Sequence, residues 1–323
     1  MKKNVLIIVL AMVLMLVGCG SNNQKQEATY RIASLKGPTT MGLVKLMEES
    51  KEGKTEDTYQ VTMHGTADEI VAGIVKGEID IASIPANLAG VLYKKLEGKL
   101  KVAAVNTLGV LYIVETGETV KSIADLKGKT IYATGKGTTP EFVLNHILNA
   151  NGLTPNQDVT IDFKSEATEL ANILATTEGA IAMLPEPFVT TAASKNEKLR
   201  VVLDMTQEYD RVATDGSTMV TAVVVARSEF IDNNKEGFDA FLDTYQKSTE
   251  WVNSNVDEAA QLIGNLEIVP APVAKKAIPK CNITFITGDE MKEKLGGFLS
   301  VLYNQKPESV GGALPDENFY YND

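Results

Sequence analysis

Few residues in this chain could carry covalent or acid–base chemistry. Two histidines, His64 and His146, stand far apart, and the only thiols are Cys19 and Cys281. That set is too small and too scattered for a usual zinc site. No glycine-x-serine-x-glycine elbow and no phosphate loop is present. No catalytic set, metal or cofactor is therefore expected. What the sequence offers instead is four helix beginnings at strand ends: Thr39-Thr40, the stretch Ser83 to Asn87, Thr138-Thr139, and Glu186-Pro187-Phe188. The first N–H groups of a helix lack intrahelical partners and can hold a ligand's acceptor atoms. Thr and Ser there also cap their own helices, and a cap and a ligand contact are compatible. His64, in a turn after a strand, is a further candidate for this set, whereas His146 lies mid-helix and reads as structural.

The elements that position these residues are written twice. Gly77-Glu78-Ile79-Asp80-Ile81-Ala82-Ser83-Ile84-Pro85 returns as Gly179-Ala180-Ile181-Ala182-Met183-Leu184-Pro185, and Gly37-Pro38-Thr39-Thr40 returns as Gly137-Thr138-Thr139-Pro140. In each copy an amphipathic helix stops at glycine, a β-prone run follows, and proline opens the next helix. The predicted strands of the first half are 30–35, 59–63, 79–84 and 100–105, with His64-Gly65-Thr66 as a turn. Those of the second half are 129–133, 159–163, 180–184 and 199–203. Strands alternating with helices at this spacing give a mostly parallel sheet covered on both faces. The fold class is therefore α/β, with two similar lobes joined by two crossing strands, Val110 to Val114 and Thr218 to Ala226. The helices carrying Phe238, Phe241, Leu242, Tyr245 and Val252, and Met291, Leu295, Phe298, Leu299 and Leu302, are placed on the first lobe. That lobe comprises residues 29–113 and 226–323, the second 114–225. In such sheets ligands bind beyond the carboxyl ends of the strands, which puts the four helix beginnings around one cleft.

The 323 residues, 44% hydrophobic and 23% charged, suit two globular cores. At the N-terminus Lys2 and Lys3 precede an apolar run from Val5 to Val17 that ends at Gly18-Cys19. Such a run rises only about 20 Å as a helix, short of a hydrocarbon layer of about 30 Å, and fits a secretory leader. Leu16-Val17-Gly18-Cys19 resembles a bacterial lipoprotein signal. That resemblance implies a leader over residues 1–18 and a lipid on Cys19, with 19–28 as a polar tether. With Cys19 acylated, Cys281 has no disulfide partner within the chain and reads as a small buried hydrophobe. The formal charge of −11 makes nucleic acid an unsuitable partner.

Together the lipoprotein cysteine, Gly77 to Ala82, Ala124-Asp125-Leu126-Lys127-Gly128-Lys129 and Leu184-Pro185-Glu186-Pro187 resemble the substrate-binding proteins of ABC importers. The branch is the nitrate, sulfonate, taurine and thiamine-precursor group, over nearly all of the chain after the leader. The resemblance implies a type II periplasmic-binding fold that closes on a small solute and delivers it to a membrane permease. It also implies a monomer held by its lipid on the outer face of the cytoplasmic membrane.

The residues give mixed advice about the solute. The four arginines, Arg31, Arg200, Arg211 and Arg227, lie outside the helix beginnings, so a bidentate anion clamp is not evident. Glu186 beside Phe188 suits an amine or protonated ring, which favours a neutral or cationic heterocycle such as a pyrimidine. Tyr112, Tyr132, Phe142 and Trp251 are further stacking faces, with Phe142 and Trp251 also suited to the core. Two other readings are a lipid-anchored ligand sensor and an enzyme of pyrimidine biosynthesis on the same scaffold. The enzyme would need a reactive histidine or cysteine set.

Overall fold

The computed structural model describes residues 28–213 and 217–322. The expected leader, Cys19 and all but the last residue of the tether lie outside them. The first half contains β1 (Thr29–Leu35), α1 (Pro38–Met41), α2 (Val44–Lys51), β2 (Thr58–His64), α3 (Ala67–Lys76), β3 (Ile81–Pro85), α4 (Ala86–Lys95) and β4 (Leu100–Leu108). The second contains β5 (Leu111–Glu115), β6 (Thr130–Ala133), α5 (Thr139–Ala150), β7 (Thr160–Phe163), α6 (Ala167–Thr176), β8 (Ile181–Pro185), α7 (Phe188–Lys195), β9 (Arg200–Asp204) and α8 (Met205–Val212). Then follow β10 (Val220–Arg227), α9 (Ser228–Asn233), α10 (Lys235–Ser254), α11 (Val256–Asn265), α12 (Ala271–Ala277), β11 (Ile283–Ile286) and α13 (Gly288–Gln305).

Local chemistry explains the boundaries. In α3, Asp68 and Glu69 stand in the first turn and Lys76 in the last, each complementing the helix dipole. Gly77 ends that helix at φ 74°, a left-handed conformation in which a side chain would be strained. All five residues of β3 are buried, as its apolar run requires of a strand covered on both faces.

Two sheets result, ordered β11-β4-β10-β3-β1-β2 and β7-β6-β8-β5-β9. In the first, β1 is parallel to β2 and β3, while β10 runs antiparallel between β3 and β4. In the second, β6 is parallel to β7 and β8, while β5 runs antiparallel between β8 and β9. The two sheets thus repeat one plan. Ala222 of β10 faces Pro85, and Leu111 of β5 faces Pro185. The crossing strands pair with their own sheets, so the chain changes sheet at 109–110 and again between β9 and β10. The expected lobe boundaries after 113 and 225 fall inside β5 and β10. Two further differences from the sequence reading are local. His64 closes β2 instead of opening a turn, because Lys36 N–H bonds its carbonyl at 2.8 Å and prolongs the ladder. The helix α8 was not foreseen; the Asp204 carboxylate starts it by accepting from the N–H groups of Thr206 and Gln207.

Helices α10 and α13 cover the first sheet, as expected, whereas α11 and α12 share a buried cluster with Leu170, Leu174 and Val189 of the second half. Phe298, Leu299 and Leu302 of α13 join the buried cluster around Val102, Val105 and Val223. Helix α10 contributes Phe238, Phe241 and Tyr245 to a second cluster with Tyr30, Leu46 and Tyr59. The final segment lies along β4, where Tyr321 N–H donates to Val102 O at 2.8 Å, and Phe319 is fully buried. Cys281 is likewise buried, and burial raises its thiol pKa.

At the opposite end from Pro85, three strands of the first sheet are fastened by Asp80. Its carboxylate accepts from Arg31 Nε and Nη2 at 2.8 and 2.6 Å, and from Arg227 Nη2 at 2.7 Å. Burial alone would raise the Asp80 pKa, but the bonds from Arg31 and Arg227 lower it below the ordinary carboxylate value. Because the folded pKa is depressed, this stabilisation is present above the unfolded value, about 3.9, and is lost as pH falls through the folded one. Asp80→Asn is expected to cost about 2 kcal/mol at pH 7 and to lose less stability than the parent below about pH 4. Urea denaturation at pH 7 and pH 3.5 measures both. Equal acid sensitivity in parent and variant would refute the assignment.

Candidate functional site

A cavity of about 380 Å³ lies between the two sheets, within the range of about 300 to 1,000 Å³ usual for ligand pockets. Its walls come from strand ends in matching pairs. The segments after β1 and β6 contribute Lys36, Pro38, Thr39 and Thr134, Lys136, Thr138. Those after β2 and β7 contribute Thr66, Asp68 and Lys164, Glu166, Thr168. The ends of β3 and β8 add Pro85 and Pro185, and the starts of the crossing strands add Val110, Leu111, Thr221 and Ala222. This is the carboxyl-end crevice in which open α/β sheets bind ligands, built here from both halves of the chain.

Of the nine ligand candidates named from the sequence, three line this cavity: Thr39, Thr138 and Phe188. The Thr39 hydroxyl donates to Leu35 O at 2.6 Å, and that of Thr138 donates to Gly135 O at 2.6 Å. Both oxygens therefore have their hydrogen engaged and retain acceptor capacity for a guest. Phe188 reaches over Gly37, where a Cβ would stand 3.4 Å from its ring. The other six do not line the cavity. Thr40 is buried and bonds Ser34 Oγ and Leu35 O, and Ser83 is buried beside the Tyr245 hydroxyl. His64 Nδ1 pairs with Glu69 at 2.8 Å. Glu186 is 1% exposed, and its carboxylate accepts from Thr190 N–H and Oγ1, both at 3.0 Å. Burial raises the Glu186 pKa despite the bonds from Thr190 and the charge of Lys280.

Asn87 and Thr139 meet one another across the two halves. Both are fully buried. Asn87 N–H donates to Thr139 Oγ1 at 3.3 Å, and that hydroxyl donates to Asn87 Oδ1 at 3.2 Å. Asn87 Nδ2 donates to Gly137 O at 3.2 Å and to Ser309 O at 3.0 Å. The amide so joins the start of α4 to the start of α5 and to the segment after α13.

The charged wall was missed in the sequence reading, although the signal was there. The repeat of Gly37-Pro38-Thr39-Thr40 begins one residue earlier, as Lys36-Gly37 and Lys136-Gly137, and both lysines line the cavity and are exposed. Lys164 lies over the Tyr132 ring at 5.3 Å and bonds Asp162 at 2.9 Å. Against these stand Asp68 and Glu166. The arginines are engaged elsewhere: Arg31 and Arg227 on Asp80, Arg200 on Glu115, Arg211 on Glu208. Tyr112, Tyr132, Phe142 and Trp251 are not among the lining residues.

Residues 102–259 match the family model described as NMT1/THI5 like. No curated protein matches the sequence significantly. Among solved structures, an ABC transporter protein of Parabacteroides distasonis is 24% identical, with 92% of this chain and 99% of that one covered and a TM-score of 0.74. The alkanesulfonate-binding protein of Xanthomonas axonopodis pv. citri, solved with MOPS bound, is 13% identical over 90% and 95% of the chains, TM-score 0.69. The periplasmic nitrate-binding protein of Synechocystis is 14% identical over 88% and 84%, TM-score 0.65. These structures share the fold of this chain, and they and the family model agree with the importer-protein resemblance carried by the motifs.

The Asn87 bonds generate a prediction about how the halves sit together. Asn87→Ala keeps the backbone N–H bond to Thr139 Oγ1 but removes the acceptor of the Thr139 hydroxyl and the donor of two carbonyls, at a cost of about 2 kcal/mol. The expected result is a larger radius of gyration by small-angle scattering and a lower melting temperature. An unchanged radius would mean that other contacts hold the halves in place.

Proposed function

We propose that this chain is the solute-binding component of an ABC importer of the sulfonate and nitrate kind, working outside the cytoplasm and held there by a lipid on Cys19. One observation carries the reading: a cavity of ligand size whose wall is drawn about equally from the strand ends of both halves. A solute that touches both halves binds the closed arrangement better and shifts the population towards it, which is the signal a permease can read. The chain changes sheet at 109–110 and again between β9 and β10, and these connections are where a hinge is placed. The units proposed to move are the two sheets with their helices, so the lobe boundaries expected after 113 and 225 shift to the starts of β5 and β10, which stay with the second and the first sheet respectively.

The lining favours a compact solute with an anionic or strongly accepting group. Lys36 and Lys136 face it from matching positions, while Glu186, on which the preference for a cationic heterocycle rested, turns its carboxylate to Thr190. Asp68 and Glu166 leave room for an amine at the other end, as in an aminosulfonate.

Thermal shift and calorimetry with nitrate, taurine, MOPS and a hydroxymethylpyrimidine test this reading. A true solute at about 100 times its Kd stabilises the protein by about 2.7 kcal/mol, and Lys136→Ala weakens an anionic one several-fold, more at low salt than at high. If no member of the panel moved the melting temperature, the reading would fail. Localisation is tested separately: Cys19→Ala is expected to move the protein from the membrane fraction to the soluble one, since stable anchoring depends on acyl chains. Retention of the variant in membranes would refute the lipid anchor.

A further inference from the structure

The duplicated plan allows the cavity floor to be compared with itself. In the second sheet β5 begins its pairing with Leu111 opposite Pro185, and in the first β10 begins its pairing with β3 at Ala222 opposite Pro85. Val110 and Thr221, each one residue earlier, therefore hold equivalent places, and both line the cavity. Valine and threonine have nearly the same shape. The difference between the two sides of the floor is one hydroxyl.

That hydroxyl is not used within the protein. Thr221 Oγ1 is closed off from solvent and has no hydrogen-bond partner. Burying a hydroxyl without a partner is unfavourable, and the mirror position does without one. The backbone singles out the same residue. The pairing of β10 with β4 shifts register between Val220 and Ala222, so Thr221 is the extra residue of a bulge. Bulges interrupt a ladder and re-aim a side chain, and they recur beside binding sites. Around the hydroxyl the floor is apolar, formed by Pro85, Val110, Leu111, Pro185 and Ala222.

We infer that Thr221 is a specificity-determining residue whose hydroxyl bonds an acceptor atom of the solute. Rotation about χ1 exchanges the hydroxyl with the methyl group between staggered positions at little change in shape, which brings the donor to the guest. The β10 side of the floor then takes the polar end of the solute and the Val110 side takes its apolar flank. This rests on the proposed solute-binding function and adds to it the orientation of the guest, a class defined by an acceptor such as a sulfonate or carbonyl oxygen.

The test uses the full chain with Thr221→Val and Thr221→Ser, titrated with nitrate, taurine, MOPS and the hydroxymethylpyrimidine by calorimetry and melted without solute. The valine variant is expected to bind about five- to a hundredfold more weakly while melting at or above the parent temperature, because it removes an unpaired buried hydroxyl. The serine variant is expected to keep affinity within about threefold, since the donor remains. Equal affinity of parent and valine variant would overturn the inference and leave the solute-binding function standing. Weaker binding accompanied by a lower melting temperature would also overturn it, marking Thr221 as structural. Failure of the parent to bind any of the four would overturn the solute-binding function and this inference together.

Discussion

A primary amide with no access to water must find its hydrogen-bond partners inside the protein, and Asn87 finds them on three residues from two separate parts of the chain. Its position is the first turn of α4, directly after the strand that ends in Pro85. Its partners are the loop and first residue of α5 and the carbonyl of Ser309. An asparagine can satisfy this arrangement because it offers donors and an acceptor a few ångströms apart; a serine could not reach, and a leucine would leave the carbonyls bare. That bond set spans the two halves beside the strand ends from which the cavity wall is drawn. The polar residues most strongly marked by the duplication are thus divided: Thr39 and Thr138 line the cavity, and Asn87 and Thr139 bond one another across the halves.

Charge is divided in the same way. Carboxylates and guanidinium groups that pair closely are found at the far ends of the strands, where Asp80 ties β1 to β10 and Glu115 takes the Arg200 guanidinium. The cavity end has the exposed Lys36 and Lys136, with Asp68 and Glu166, instead. A rigid, paired network serves strand alignment, because it is lost only by protonation or mutation. Flexible ammonium groups on long stems suit the proposed site, which a solute would enter and leave.

The fold was legible from the sequence because it was written in repeats with clear punctuation. Gly77 and Gly179 each follow a helix, Pro85 and Pro185 end the strand after it, and the largely apolar runs between them fill strands buried on both faces. The site was legible only as a region. Thr39 and Thr138 line the cavity, but Thr40 and Thr139, their immediate neighbours, point into protein, since one residue along a helix turns the side chain by about 100°. No pattern in a single sequence tells which of two adjacent threonines faces the cleft. Glu186 deceived for a related reason: a carboxylate at a helix start can face a ligand or bond the helix's own N–H groups, and the sequence is the same for both. The bulge that singles out Thr221 depends on the register of β10 against β4, which is set by partners more than a hundred residues away.

The place of β10 has a consequence for how the chain acquires its shape. The second sheet is made of consecutive strands, β5 to β9, and every partner in its ladder is present once Asp204 has been made. The first sheet has a gap between β3 and β4 that only β10 fills, and its edge waits further for β11. A chain emerging N-terminus first can pair β1 with β2 and β3, but one edge of β3 and the whole of β4 stay unpaired until β10 arrives, while the later half folds. Long-range pairing of this kind is slow, and it leaves apolar strands exposed in the meantime. Under the proposed export across a membrane such a delay is useful: the first sheet cannot be completed until nearly the whole chain has arrived.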